Sequence, residues 1–341
     1  MKTTYANGDV FSASDVNDIT GTINLIGYGA PVVAGKNGVI NGAMDVWQRG
    51  VSSAGNAYIC DRWYSALISG TGTFAQETTV VPSGSNYSQK FTASATAQPA
   101  LYQAVETLNA VRFANQSVTV SAKVASSTSV GFTIDVQYST STDNGVTGTW
   151  TSITATSGGT ATATSTTFVD ISGVYAVPST AKSLRVRLFT TSTIANTVVV
   201  YFGQVQLEQG TTATTFSRAG GTIQGELANC QRYYYRVGGS SIYETLSALG
   251  PAGSTTVADP INVIPPVSLR VGATALDYSG IALTDSNSIY STGTWVLSTY
   301  QSKNNLVVKY THGSAVLTAY RPYYILANNN INAYIGFSAE L

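Results

Sequence analysis

From Val198 to Arg236 the sequence passes through a β-strand pattern, a joint, a helical pattern and the start of another strand. Val199, Tyr201, Val205 and Leu207 fall on one face at period two, with Gly203 in register, as a strand with one buried face requires. After Gln209-Gly210, the run TTATTFS holds too few apolar residues to fill a core. Ile223, Leu227, Cys230 and Tyr234 then recur at helical spacing, and YYYRV returns to β-type residues. The order predicts one β-sandwich over residues 37–218 and a second over 219–341, the second opened by a short helix. A leading segment, 1–36, precedes both.

Short alternating runs fill the first region. Val118, Val120, Ala122 and Val124 share a face, as do Phe132, Ile134, Val136 and Tyr138, with Thr133, Asp135 and Gln137 turned away. Leu184, Val186 and Leu188 point in while Arg185 and Arg187 point out. Asp143-Asn144-Gly145 and Ser157-Gly158-Gly159 are turn signals of the kind that close hairpins. Strands at this spacing without intervening helices predict an all-β chain, with two antiparallel, jelly-roll-like sandwiches behind a short N-terminal helical anchor. In the second region Pro260, Pro265 and Pro266 mark edges or bends, Leu306 to Tyr310 reads as a strand, and Asn328-Asn329-Asn330 as a turn. The alternation Ile331, Ala333, Ile335, Phe337, Ala339, Leu341 predicts a packed end. The whole region reads as seven or eight strands.

With 341 residues the chain can build two cores. Lys plus Arg and Asp plus Glu both number 17, which argues against a nucleic-acid binder, since that needs a basic face. Charged residues make up 10%, against ~25% in ordinary soluble domains, and hydroxyl side chains take their place. A near-neutral surface of this kind favours a fixed oligomer. Cys60 and Cys230 have no metal-ligand spacing and are expected to be buried thiols. The N-terminus lacks the apolar stretch of a signal peptide, and no apolar run reaches the ~18 residues of a membrane span. The expectation is synthesis in a cytoplasm and release by lysis, without membrane insertion.

In the leading segment, Ser12 and Asp15 have capping-box spacing. Val16, Ile19, Ile23 and Ile26 step by three, four and three, an a/d seam. Gly21 inside it costs ~1 kcal/mol relative to Ala. A helix this short needs a partner: copies of itself, as in a homotrimer, or a docking groove, with packing on its own first sandwich as the alternative.

The opening Asn41-Gly42-Ala43-Met44-Asp45-Val46-Trp47-Gln48-Arg49-Gly50, followed by Cys60-Asp61-Arg62-Trp63-Tyr64, resembles the "NG-x-F-E/D-x-W-Q-R-G … DRW" start of many tailed-bacteriophage virion proteins. These are similar in turn to carbohydrate-binding jelly rolls. Gln204-Val205-Gln206-Leu207-Glu208, Thr215-Phe216-Ser217-Arg218 and Glu226-Leu227-Ala228-Asn229-Cys230-Gln231-Arg232-Tyr233-Tyr234 resemble the "V-Q-L-E … F-x-R … E-L-x-x-C-Q-R-Y-Y" segment of phage tail and fibre proteins. The run GDVFSASDVN is similar to the start of some phage appendage proteins. The resemblance implies a virion fibre or tip protein, joined to other virion proteins through residues 1–36 and facing host-surface glycan. It also implies where calcium would bind in the carbohydrate-binding relatives: Asp45 matches the first-strand carboxylate, whereas Gly203 and Gln204 stand where the last strand would be acidic. Calcium needs several charged oxygens, so Asp45 is the one candidate ligand and no metal or other cofactor is expected.

Sugar contact calls for exposed aromatic faces beside hydrogen-bonding groups. Trp47 and Trp63 lie inside the opening motif and read as packing residues. Trp150, just past the Asp143–Gly148 loop, is the candidate contact, with Tyr323 and Tyr324 in the second sandwich. Those two, with Tyr290, Tyr300 and Tyr320, fit either receptor contact or seams and cross-strand pairs. His312 reads as a turn residue without a nucleophile motif around it. Asp61, Glu77, Glu106 and Asp135 are carboxylates that nothing in the sequence pairs for glycoside hydrolysis. The expectation is a non-enzymatic protein. Capsid decoration without a receptor role, and a polysaccharide depolymerase, are the alternatives.

Overall fold

The computed structural model describes residues 35–341; the expected anchor residues Val16, Ile19, Ile23 and Ile26 lie outside them. The described chain is all-β. Its first part is a sandwich of two antiparallel sheets. One runs, in spatial order, Ser52–Ser53, Gly72–Glu77, Ser88–Ala93, Val199–Gln209, Ser117–Ser126, Val169–Ala176 and Ala155–Gly158. The other runs Thr160–Ala163, Val130–Ser139, Ser183–Thr190, Gln98–Val105, Tyr64–Ser69 and Ala57–Tyr58, with Thr151–Ser152 paired to Val130–Ser139 off that path. Between them lies one apolar cluster that includes Trp63, Phe74, Phe91, Phe132, Leu101 and Leu188. The alternation expected for residues 118–124, 132–138 and 184–188 holds: the apolar members join this core and Arg185 and Arg187 face away from it.

Two local expectations are corrected. The strand Val199–Gln209 does not keep one parity. Its pairing slips between Gly203 and Gln206, and Gln204 takes a left-handed φ of 49°. A bulge of this type turns the following side chains over, so Val200 and Phe202 fill the core before it and Val205 and Leu207 after it. Ser157-Gly158-Gly159 does not close a hairpin. It carries the chain from one sheet to the other, since Ala155–Gly158 pairs with Val169–Ala176 whereas Thr160–Ala163 pairs with Val130–Ser139. Both glycines have positive φ, 66° and 93°, which glycine alone adopts without cost.

The joint forms a helix, Ile223–Gln231, capped by Thr222, whose side chain accepts from the Gly225 N–H at 3.1 Å. Its buried face is not the expected one. Ile223 and Leu227 are exposed, and Glu226 and Cys230 are buried. Glu226 is drawn inward by the backbone N–H groups of Asn41 and Gly220, which donate to its two oxygens. Tyr234 belongs to the next strand.

The second part has its own apolar cluster, including Leu269, Leu283, Trp295, Leu306, Tyr310 and Phe337. Instead of seven or eight strands it contains ten short ones in three antiparallel sheets. Tyr334–Ser338 lies between Tyr234–Gly238 and Ala275–Ser279. Gly250–Pro251, Pro322–Ala327, Ile281–Thr284 and Ile289–Tyr290 form the second sheet, and Val257–Val263, Leu306–Thr311 and Thr294–Leu297 the third. Ala333, Ile335, Phe337 and Ala339 are fully buried, as the terminal alternation predicts, whereas Ile331 lies exposed in the turn before them.

The opening motif is a structural knot. Asn41, at φ 56°, accepts from the N–H groups of Asp45 (2.9 Å) and Val46 (3.1 Å) and donates to the carbonyls of Val46 and Asp61, both at 3.0 Å. Trp63 returns its indole N–H to the Asn41 carbonyl at 2.9 Å. Gly42 packs so closely that a Cβ there would stand 2.1 Å from the Val205 carbonyl oxygen.

This knot meets the second part across a polar seam. Glu340 pairs with Arg49 (3.0 Å) and with Arg62. Arg62 lies over the Tyr233 ring at 3.5 Å, and Arg49 over Tyr234 at 3.7 Å. Gln48 donates to the Tyr234 carbonyl at 3.0 Å and to Asp61 at 2.6 Å. Farther along, Arg232 pairs with Glu106 (3.0 Å) and Arg270 with Asp143 (3.1 Å).

Asp61 sets a pH dependence. Burial pushes its carboxyl up to about 7, against the opposing hydrogen bond from Gln48. Because that lies above the unfolded value of ~4, its contribution to stability is fully present below pH ~4 and is lost as pH rises to about 7. Glu226, also raised by burial, acts in the same direction. Glu77 acts oppositely: burial pushes it up, but Lys90 and Thr79 outweigh that and hold it at about 2, so its contribution is lost only as pH falls below ~4. Asp61→Asn is therefore expected to flatten much of the decline in urea midpoint between pH ~4 and ~7 while leaving the acid limb unchanged. A wild-type midpoint already level across that range contradicts the assignment.

Candidate functional site

The outer face of the sheet containing Val130–Ser139 brings aromatic rings and fixed charges together. Because Leu101, Val186, Leu188, Ile134 and Val136 point into the core, the residues between them point out. The register places Tyr64 beside Tyr102, Tyr102 beside Arg187, and Arg187 beside Asp135 in one row. The next row holds Ala104, Arg185, Gln137 and Ser152.

These side chains hold one another in place. Arg187 grips Asp135 through two nitrogens, Nε at 2.9 Å. Arg185 donates to the Gln137 side chain at 2.8 Å and to the Val146 carbonyl at 2.6 Å. Its guanidinium lies 5.0 Å from the Tyr102 ring centre and 5.1 Å from that of Trp150. Such cation–aromatic contacts contribute ~0.5–2 kcal/mol and fix ring orientation. Burial and the neighbouring Arg187 push Arg185 down to about 10, leaving it charged at neutral pH. Tyr58 extends the row, its ring edge-on to Tyr64 at 5.2 Å. The small side chains of Ala66, Ala100 and Ala104 on this sheet are buried, and Ala66 stands opposite Ala100 in the register.

Trp150, the expected contact, is half-buried at one end of this face, its indole N–H donated to the Gly145 carbonyl at 3.1 Å. Tyr323 is corrected: it is completely buried, its hydroxyl accepts from the Thr318 N–H at 2.9 Å, and its ring packs on Tyr290. Strand alternation in Pro322–Ala327 turns it inward, and Tyr324 outward to a half-buried position near Ser286, 3.2 Å away. Tyr64 and Tyr102 escaped the sequence reading. Small residues flanking Tyr102, in Ala100-Leu101-Tyr102-Gln103-Ala104, were the available signal.

Asp45 is already fully engaged. Its carboxylate accepts from the N–H groups of Asn86 (2.6 Å) and Tyr87 (3.3 Å) and pairs with Arg218, which also donates to the Gly84 carbonyl at 3.0 Å. A guanidinium thus neutralises the candidate calcium ligand. Among the described residues no three His, Cys, Asp or Glu side chains cluster as a metal site. Nor does the fold converge the four carboxylates considered for hydrolysis. Glu77 pairs with Lys90, Glu106 with Arg232, Asp135 with Arg187, and Asp61 is buried against Gln48. His312 bonds Thr292 at 3.2 Å and the Ser314 backbone at 3.1 Å. Cys60 and Cys230 are buried free thiols, pushed up by burial.

No protein-family model matches the sequence, and no curated protein matches it. Solved structures resemble the fold over about half of the chain. The C-terminal family 22 carbohydrate-binding module of Clostridium thermocellum Xyn10B aligns at 16% identity over 45% of this chain and 89% of its own, with a TM-score of 0.32. The CBM22-1 xylan-binding domain of Paenibacillus barcinonensis Xyn10C aligns at 13% identity over 53% and 98%, TM-score 0.33. The enzymatically active domain of bacteriophage CBA120 tailspike protein 4 aligns at 10% identity over 51% of this chain and 22% of that one, TM-score 0.33.

Proposed function

We propose that the chain is a structural component of a bacteriophage virion, a fibre or tip protein that contributes to recognition of host-surface glycan without catalysis. The observation that carries the glycan reading is the row Tyr64, Tyr102, Arg187 and Asp135 with Arg185 and Trp150 beside it. A sugar ring offers a face of C–H groups and a rim of hydroxyls. Aromatic rings suit the first, and donors and acceptors held by one another suit the second without further ordering cost. The virion reading rests on the sequence motifs at the opening and the joint.

In this reading the protein works as a homotrimer and meets other virion proteins through residues 1–36. Large exposed apolar side chains in the second part, among them Leu249, Ile264, Tyr300 and Tyr320, support an oligomer. It is made in the host cytoplasm and leaves by lysis. Adsorption competition tests the role. Free protein is expected to label host cells and to lower phage adsorption in proportion to its concentration. Protein that does neither belongs to the decoration reading instead.

A further inference from the structure

We propose a second saccharide site, on the sheet opposite the aromatic face. A groove of about 680 Å³ lies there, between the Ser117–Ser126 and Val169–Ala176 strands and the segment 213–218. Ligand sites commonly enclose ~300–1,000 Å³. Ser121 and Ser172, paired in register, form the floor, and Lys123 and Asp170, paired at 2.6 Å, lie beside them. Phe216 lines the facing wall, and Gln204 and Arg218 close one end.

The wall is fixed before any ligand arrives. Glu208 accepts from the Thr214 N–H at 2.9 Å and from its hydroxyl at 2.7 Å, and Gln206 accepts from the Ser217 N–H at 2.8 Å. Gln204 donates to the Ser83 carbonyl at 2.6 Å. A loop held this way loses little freedom on binding.

The lining selects the ligand class by charge. Lys123 is matched by Asp170 and Arg218 by Asp45, so among the described residues the lining leaves no unpaired cation for a phosphate, sulfate or uronate. The side-chain hydroxyls of Ser121 and Ser172 bond no other described side chain or backbone group, and the Arg218 Nε is buried without a partner among the described residues. Hydrogen-bonding capacity without net charge, beside one phenyl ring, fits a neutral sugar: hydroxyls to the serines and the ion pair, ring face to Phe216.

This site stands apart from the aromatic face, so each can fail without the other. The test titrates full-length protein with neutral linear oligosaccharides of glucose, galactose, mannose and xylose, three to six sugars long, and with galacturonate oligomers of the same lengths as the anionic comparison. Phe216→Ala and Ser172→Arg, the latter placing bulk at an exposed floor position, are compared with Tyr102→Ala. At least one oligosaccharide is expected to bind with an affinity that falls about tenfold in both groove variants and holds in Tyr102→Ala. Hydrogen exchange should slow at residues 213–218 when it binds. If no oligosaccharide responds to either groove variant, or the groove prefers an anionic sugar, the proposal is overturned.

Discussion

Glu340→Ala is expected to lower the stability of the chain by about 3–5 kcal/mol, the cost of leaving buried charge unpaired. Glu340 is 8% exposed, and its partner Arg62 is 2% exposed. With the carboxylate gone, Arg62 keeps only the Tyr233 ring over it and the Ala104 carbonyl, which accepts from it at 2.7 Å. Arg49 loses the same partner. The loss falls on the seam between two separate apolar clusters, so urea unfolding of Glu340→Ala is expected to split into two transitions set farther apart than those of the wild type. Glu340→Gln, which keeps an acceptor and drops the charge, should fall between. An unchanged midpoint and a single transition in Glu340→Ala would show that the seam does not join the two parts.

Asn41→Ala is expected to be comparably damaging, although it removes few atoms. The side chain serves four backbone groups of the knot, and each one orphaned in a buried site costs ~1–3 kcal/mol. Alanine at a left-handed φ adds ~1–2 kcal/mol of steric cost. These terms are not additive, and a total of about 4 kcal/mol or more is expected. Asn41→Gly relieves the backbone term alone, so thermal denaturation should rank wild type above Gly and Gly above Ala. Equal stability of the Gly variant and wild type would mean that only the backbone conformation matters there.

Both predictions assign the opening and joint motifs to architecture. Asn41, Asp61 and Trp63 tie the first strands together. Glu226 accepts from the Asn41 N–H, and Arg232, Tyr233 and Tyr234 form the seam. Of the residues in the two motifs, Tyr64 alone also lies in the row of Tyr64, Tyr102, Arg187 and Asp135. The motif residues named above therefore serve to join the two parts, and the glycan reading stands on the row of Tyr64, Tyr102, Arg187 and Asp135.

The sandwich was legible because period-two alternation is local. Val118 to Val124 and Leu184 to Leu188 declare their inner faces within a few residues. The bulge at Gly203–Gln204 was not, since its parity change depends on pairing with a strand some 80 positions earlier, Ser117–Ser126. The helix misled for a related reason. Helical spacing favoured Ile223 and Leu227, but hydrogen bonds from Asn41 and Gly220 pulled Glu226 inside. At the site, outward Arg185 and Arg187 could be read from alternation. Their meeting with Tyr64, Tyr102 and Trp150 depends on strand order in the sheet, which a single sequence does not display.

The most direct test is titration of purified host-surface polysaccharide into the full chain, wild type beside Tyr102→Ala and Trp150→Ala. Binding by the wild type that weakens by tenfold or about that in each variant, with thermal midpoints retained, is the predicted result. Binding that both folded variants keep at full strength, or no binding by the wild type, would contradict the aromatic face as the place where this protein meets sugar.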